Sequence, residues 1–356
     1  MILSAAHTVP YHIPLTTPFA TATGEVGVRS GWIVQIEDEA GRVGQGEWAP
    51  LPGWSPDVTQ DGARAVQDAL DLLRVAAQST EMDALIKQIP GMFPGRPAMI
   101  FALETALLDL AAQASRQPLF RRLNAHAPAK VSLNAVLPLG ELKQTVETAA
   151  RRVGEGYRTL KLKIRGPDDE ALLAALRARL GAEVALRLDA NGAWDLPTAM
   201  AVMRQFEPYG IAYVEQPLPP GDDQALAELR REVGIAVAAD ESVSDMTSVK
   251  QLLEQEAMDV IILKPMIQGG LRACMEMARL AADADVLVVI TTTLDTVVGR
   301  VAAAHLAAAC GTLDLAHGLA TGGFLAHDLA PDPLVVSGGV AELPVAPGLA
   351  ISRIEG

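Results

Sequence analysis

A closed β/α barrel behind a smaller N-terminal α+β domain is the architecture the sequence predicts, and three observations predict it. The chain has 356 residues, and at roughly 150 residues per domain that leaves room for a barrel plus an addition. From about residue 130, short apolar runs alternate with amphipathic stretches of helical length, the pattern of β/α units around a parallel sheet. Five polar residues, Lys163, Asp189, Glu215, Asp240 and Lys264, each close one of those apolar runs, at separations of 26, 26, 25 and 24 residues.

The first part of the chain, residues 1 to about 125, has a different texture. Ser30–Glu37 reads as a strand, Asp38-Glu39-Ala40-Gly41-Arg42 as a turn, and Val43–Trp48 as a second antiparallel strand. Helical stretches are predicted near 57–78 and 97–115, the second apolar enough to be mostly buried. Strands followed by helices make a small α+β unit. The barrel unit is predicted over 126–319, with strands near 131–136, 159–163, 184–189, 211–215, 235–240, 260–264, 286–291 and 313–317. Eight such strands close a barrel. The Gly- and Pro-rich tail, about 320–356, is expected to run back over the first domain.

Composition narrows the function classes. Half of the residues are apolar and 20% are charged, so a large core can form. The net charge of −14 disfavours nucleic acid and anionic membrane as partners. An anionic ligand therefore has to find its positive charge concentrated in one pocket. The N-terminus carries no basic stretch leading into a long apolar run, and runs such as Val286–Ile290 fall far short of the roughly 20 residues that cross a bilayer. Cys274 and Cys310 lack metal-ligand spacing and read as small apolar residues of a reducing compartment. A cytoplasmic protein is expected; oligomeric state is left open.

The period of about 25 places the five polar residues at the C-terminal ends of consecutive barrel strands, the face where such barrels build active sites. Three carboxylates on neighbouring strands suit one hard divalent cation such as Mg²⁺. The two lysines flank them, and a partly desolvated lysine near other cations can lose its proton close to neutral pH. The order is base, metal, base, with substrate between. Any one such charge reads equally as a helix cap or a solvated loop residue; five in period do not. Strand alternation puts Lys161 on the side of Lys163 and Arg187 on the side of Asp189. Arg187 has two readings, a structural pair with a nearby acid or a substrate carboxylate ligand. Asn191 reads as turn chemistry or support for the site, and Glu241 as a partner of Lys264 or a loop cap. Gly269 and Gly270 are candidates for offering backbone amides to a substrate carboxylate. Phosphate-binding glycine loops, zinc-type histidine spacings and a Gly-x-Ser-x-Gly elbow do not occur.

At Lys161-Leu162-Lys163, Arg187–Asn191, Val214-Glu215-Gln216-Pro217, Asp240-Glu241-Ser242 and Leu263-Lys264-Pro265 the chain resembles the enolase superfamily, in its muconate-lactonizing-enzyme-like branch. Gly46–Ser55 and Ala102–Leu110 extend the resemblance to nearly the whole chain. The resemblance implies a capping α+β domain on a modified (β/α)7β barrel. It implies that Asp189, Glu215 and Asp240 hold Mg²⁺, with Mn²⁺ as a substitute. Lys163 would take the proton α to a carboxylate of a small-molecule substrate, and Lys264 would stabilise the enediolate anion. Within the branch, Thr291–Arg300, Ala316–Thr321 and Asp328–Leu334 look most like the o-succinylbenzoate synthases of menaquinone biosynthesis, which are carbon–oxygen lyases. Thr291 and Thr292 would then contact substrate or support the site. Phe19 and Trp54, in loops over the barrel mouth, would pack on the substrate or fill the domain interface. The alternatives are racemisation of N-succinyl or N-acyl amino acids by the same two lysines, then dipeptide epimerisation or muconate cycloisomerisation. A dipeptide epimerase should carry an Asp-x-Asp element near strand eight, where only Asp314 stands. A metabolite-binding barrel without activity would require a missing lysine or ligand acid, and none is missing.

Overall fold

The computed structural model of the chain describes residues 3–21, 24–137, 140–311 and 315–355. The N-terminal domain opens on a three-stranded antiparallel sheet of β1 (Leu3–Thr21), β2 (Gly24–Asp38) and β3 (Val43–Trp48), in that spatial order. The sequence reading contains no β1, because Pro10, Pro14 and Pro18 argue against a strand. As an edge strand paired only with β2, β1 can hold prolines whose missing donors face away from the ladder, and its register breaks between Pro14 and Phe19.

Three helices follow, Gly62–Ala77, Met82–Met92 and Pro97–Ala114. The first starts later than the predicted 57, with Asp61 accepting from the Arg64 amide as its cap. Asp57 is used elsewhere: its Oδ2 accepts from Trp48 Nε1 and from the Met99 amide at the start of the third helix. The second helix escaped the sequence reading because Pro90, near its end, merges with the turn signals Gly91, Pro94 and Gly95. The third is long and apolar enough to cross a membrane, but lies buried against β3. Gly46 makes that packing possible, since a Cβ there would collide with the Ala102 carbonyl.

The second part is a curled parallel sheet whose strands are buried on both faces. After β4 (Lys130–Ser132) come β5 (Ala135–Leu137), β6 (Thr159–Lys163), β7 (Ala185–Asp189), β8 (Ile211–Glu215), β9 (Val237–Ala239), β10 (Val260–Leu263) and β11 (Leu287–Ile290). The seven strands β5 to β11 form one sheet in sequential order. The predicted first strand splits: β5 enters the barrel, while β4 pairs antiparallel with a tail hairpin, β12 (Val335–Ser337) and β13 (Val340–Glu342). The predicted eighth strand falls partly on 312–314, outside the described residues. Beyond it, His317 bridges to Leu133 and Gly318 to Thr291, joining the two ends of the sheet. The His317 ring accepts from the Ile290 amide across that seam.

The tail then crosses to the N-terminal domain. The Leu119 amide donates to the Gly348 carbonyl, and Gln35 Nε2 donates to the carbonyl of Ile354 at 2.7 Å. Buried Asp109 joins the two, accepting from the amides of Gln45 at 2.9 Å and Leu349 at 2.8 Å. Asp109→Ala strands both donors in the interior. Each buried unpaired group costs about 1–3 kcal/mol, so a fall in Tm of several degrees is expected in thermal unfolding; an unchanged Tm would show that the tail is held without this carboxylate.

Candidate active site

The parallel register delivers the predicted residues to one place. Lys163, Asp189 and Glu215 are Cα partners across β6, β7 and β8, so their side chains stand in a row at the strand ends. Asp240 follows β9 directly, and Lys264 follows β10 at the start of a short helical turn, Pro265–Gln268. Lys161, Lys163, Asp189, Asn191, Asp240, Lys264, Thr291 and Thr292 all line one cavity at the barrel mouth. Its remaining wall is Leu51 and Trp54 from the N-terminal domain, Asn134, Val136, Thr293, Leu294 and Gly318 from the barrel, and Thr321 and Phe324 from the tail.

Three carboxylates are buried side by side there: Asp189 is 5% exposed, Glu215 1% and Asp240 4%. Lys161 bridges two of them, 2.7 Å from Glu215 Oε1 and 3.0 Å from Asp189 Oδ2. Lys264 Nζ pairs with Asp240 Oδ2 at 2.6 Å and lies 3.8 Å from the centre of the Trp54 ring. Burial is the main cause that pushes Glu215 up to about 8; the charges of Asp189 and Asp240 add to it and Lys161 opposes it. Burial also works against the charge of Lys161, but the carboxylates Asp189, Glu215 and Asp240 outweigh it and hold its pKa up. For Asp189, burial is outweighed by Lys161 and Lys163, and the carboxyl is held below its ordinary value. Lys163 moves the other way. Burial and the ammonium of Lys161 lower its pKa, against the pull of Asp189.

Lys163 Nζ donates to Asn191 Oδ1 at 2.5 Å, and Asn191 Nδ2 donates to Glu241 Oε1 at 3.2 Å. Asn191 adopts φ +47°, a left-handed turn that places its amide 3.1 Å from Asp189 Oδ1. Glu241 makes its hydrogen bond to Asn191, while the charge of Lys264 acts on it without one. Arg187 does not line the cavity. It donates to the Ala316 carbonyl at 2.6 Å and lies over the Tyr213 ring, and among the described residues no acid forms an ion pair with it. Gly269 and Gly270 also lie away from the cavity; the Gly270 amide donates to the Pro265 carbonyl. Phe19 falls in β1, but its side chain, like Asp314, lies outside what is described.

The donor set fits a hard divalent cation in its chemistry. All three groups are carboxylates, they are buried, and Asp240 Oδ1 has no hydrogen-bond partner. Among the described residues no three His, Cys, Asp or Glu groups are already gathered as a ligand cluster, and the ammonium groups of Lys161 and Lys264 supply the positive charge.

The sequence marks Gln216 only as part of the Val214–Pro217 motif, and the structure gives it a task. It is fully buried at φ +41°, and its Oε1 accepts from the amides of Asp240 and Ser242, both at 3.0 Å. Its Nε2 donates to the Leu218 carbonyl and Ser242 Oγ, so one amide side chain sets the backbone carrying Asp240. Its neighbour Glu215 was legible as a charged strand end, whereas a buried glutamine has no charge or period to mark it.

Comparison with known proteins places these features. A family model described as "Enolase C-terminal domain-like" matches residues 144–354, and one described as "MenC, N-terminal domain" matches residues 4–109. The o-succinylbenzoate synthase of Thermobifida fusca is 40% identical over 205 residues, 56% of this chain and 62% of that protein, so the match spans less than two thirds of its length. The o-succinylbenzoate synthase of Thermosynechococcus vestitus is 31% identical over 303 residues, covering 83% of this chain and 86% of that one. Among solved structures, a substrate-liganded L-Ala-D/L-Glu epimerase from Bacillus subtilis superposes with a TM-score of 0.90 at 27% identity, over 100% of both chains. A dipeptide epimerase from Enterococcus faecalis complexed with Mg and L-Leu-L-Tyr gives 0.87 at 27% identity, over 99% of this chain and 100% of that one.

Gln216→Ala leaves the buried amide of Asp240 and the half-buried amide of Ser242 unpaired. At about 1–3 kcal/mol for the buried one, a clear drop in the denaturant midpoint is expected, and an unchanged midpoint would mean that the Asp240 segment is held by other contacts.

Proposed function

The chain belongs to the enolase superfamily, in its branch of muconate-lactonizing enzymes and o-succinylbenzoate synthases, and from that premise we propose that it is a Mg²⁺-dependent o-succinylbenzoate synthase. The substrate would be 2-succinyl-6-hydroxy-2,4-cyclohexadiene-1-carboxylate. One observation carries the choice within the branch. Among the described residues the cavity wall consists of apolar groups, hydroxyls, the side-chain amides of Asn134 and Asn191 and three lysines, and its acids are Asp189 and Asp240, both assigned to the metal. Among the described residues, then, the cavity offers a dipeptide's terminal ammonium no carboxylate of its own, while a second carboxylate, such as a succinyl group's, finds hydroxyls and positive charge. The N-terminal family match and the two synthase relatives support the same choice.

Asp189, Glu215 and Asp240 would hold Mg²⁺, with Mn²⁺ as a substitute. A divalent cation bound there supplies Lewis-acid polarisation of the substrate carboxylate. Lys163 is the base. The direction of its pKa favours a neutral amine, and Asn191 Oδ1 fixes the position of its nitrogen. The amine takes the proton α to the carboxylate, leaving that electron pair in the carbon framework. The resulting ammonium then gives a proton to the departing hydroxyl on the same face. One water leaves, and the ring becomes aromatic. Lys264 stays an ammonium facing the anion, its nitrogen located by Asp240 and the Trp54 ring.

A second reading, racemisation of N-succinyl or N-acyl amino acids, rests on the fact that both lysines line the same cavity. With Mg²⁺, kcat/KM for dehydration is expected to exceed that for racemisation of N-succinyl amino acids at least a hundredfold; the reverse ratio would keep the site and replace the function. Lys163→Ala should lower dehydration by about 10²–10⁴, the usual worth of a positioned acid–base group, and should abolish exchange of the α-proton with deuterated water. Retained exchange would move the base elsewhere. Chelation should stop turnover and Mg²⁺ or Mn²⁺ restore it, whereas full turnover in chelator would remove the metal assignment.

A further inference from the structure

Outside the reaction cavity, buried charge concentrates where the two domains meet. Arg29, near the start of β2, is 1% exposed, and its Nη2 reaches three other segments at once. It donates to the carbonyl of Ala49, which begins the loop carrying Leu51 and Trp54. It lies 3.4 Å from Thr293 Oγ1 and 3.4 Å from Met266 Sδ, in the barrel segments after β11 and β10. It also faces Asp295 Oδ1 at 3.8 Å. Asp295 is itself 1% exposed and accepts from the Thr293 amide at 3.1 Å and its hydroxyl at 2.6 Å.

Beside this pair stands a second buried acid. Glu47 accepts from Tyr11 Oη at 2.5 Å, from the Thr296 hydroxyl at 2.7 Å and from the Gly299 amide at 2.9 Å, at the N-terminus of helix Val297–Cys310. Arg29 Nε and Asp295 Oδ2 have no hydrogen-bond partner, so a close two-point guanidinium–carboxylate pairing is not made. A buried ion pair is weak evidence for stability, because apolar groups of the same size generally serve as well. Its placement is the informative part. Leu51, Trp54 and Thr293 line the cavity, and Arg29 stands behind them without lining it.

We propose that Arg29 is a positioning residue that clamps the Ala49–Trp54 loop of the N-terminal domain to the Thr293–Asp295 segment of the barrel. Substrate affinity then depends on a side chain that never reaches the cavity. The inference rests on the reading of that cavity as the substrate site. Loosening the two walls removes contacts made equally to the bound substrate and to the reacting species, which raises KM and leaves kcat near its starting value.

The test compares Arg29→Met, Arg29→Lys, Asp295→Asn and the double variant Arg29→Met/Asp295→Asn in the full chain, each checked for folding by circular dichroism. For Arg29→Met, KM is expected to rise about tenfold or more with kcat within about threefold. Arg29→Lys is expected to recover part of that loss. The double variant should be no worse than the worse single one, because the two residues act as one clamp. Unchanged KM, a fall in kcat alone, or additive effects would overturn the proposal. If Arg29→Met does not fold, Asp295→Asn carries the test by the same split. If the wild-type chain turns over no substrate tried, the proposed function fails, but the clamp is still read by limited proteolysis. Cleavage within residues 49–55 should then speed up about tenfold in Asp295→Asn, and an unchanged rate would overturn the clamp.

Discussion

Three carboxylates placed side by side at the inner ends of neighbouring strands are the constraint on which the rest of the site depends. Asp189, Glu215 and Asp240 are nearly excluded from water. Like charges so placed cannot all remain ionised without a cation among them. The chain supplies its own. Lys161 lies between Asp189 and Glu215, and Lys264 against Asp240. The pairing of Lys161 with the acids leaves Lys163, two residues along the same strand, as the lysine whose pKa falls. One strand therefore carries a lysine whose pKa is held up by the acids and a lysine whose pKa is lowered by burial and by the ammonium of the first.

The N-terminal domain is tied to the barrel through buried acids as well. Glu47 from β3 sits at the start of helix Val297–Cys310, and Glu104 from helix Pro97–Ala114 accepts from the Arg272 amide at the start of helix Leu271–Asp283. A helix N-terminus favours negative charge and leaves amides to be satisfied. Burial nonetheless pushes Glu104 up to about 7. Both capped helices follow segments that border the cavity, the first after Thr291–Leu294 and the second after Lys264. The domain contact and the cavity wall are thus parts of one structure.

How much of this was legible follows from what kind of signal each residue carries. Lys163, Asp189, Glu215, Asp240 and Lys264 stood out because a charge closing an apolar run is unusual and a repeat near 25 residues is the length of one β/α unit. The barrel strands from β6 to β11 were legible for the same reason: strands buried on both faces read as continuous apolar runs. β1 was hidden by its prolines, which an edge strand tolerates, and β4 was merged with β5 because apolar runs do not mark the point where a chain leaves one sheet for another. Arg187 was read by strand alternation, which gives the side of a strand but not the carbonyl that Ala316 brings from far along the chain. The cavity wall contributed by Leu51, Thr321 and Phe324 has no periodic signature at all; only the folded chain brings these residues together.

Removing a proton and expelling hydroxide on one face needs one lysine, and racemisation needs two on opposite faces; a chain holding both lysines satisfies either requirement. The reacting groups therefore cannot by themselves choose the reaction. The choice falls to the contacts that hold the unreacting part of the substrate, since these set which carbon stands over Lys163 and at what angle. Here the cavity wall away from the lysines and acids includes three stretches remote in sequence: the loop after β3, the segment after β11 and the tail around Thr321–Phe324. The second is joined to the first through Arg29, Asp295 and Glu47, and to the third through the Thr292–Thr321 hydroxyl pair at 3.1 Å. On the proposed function, discrimination between substrates would then be a property of the domain junction, and substitutions there would alter it without touching the lysines or the acids.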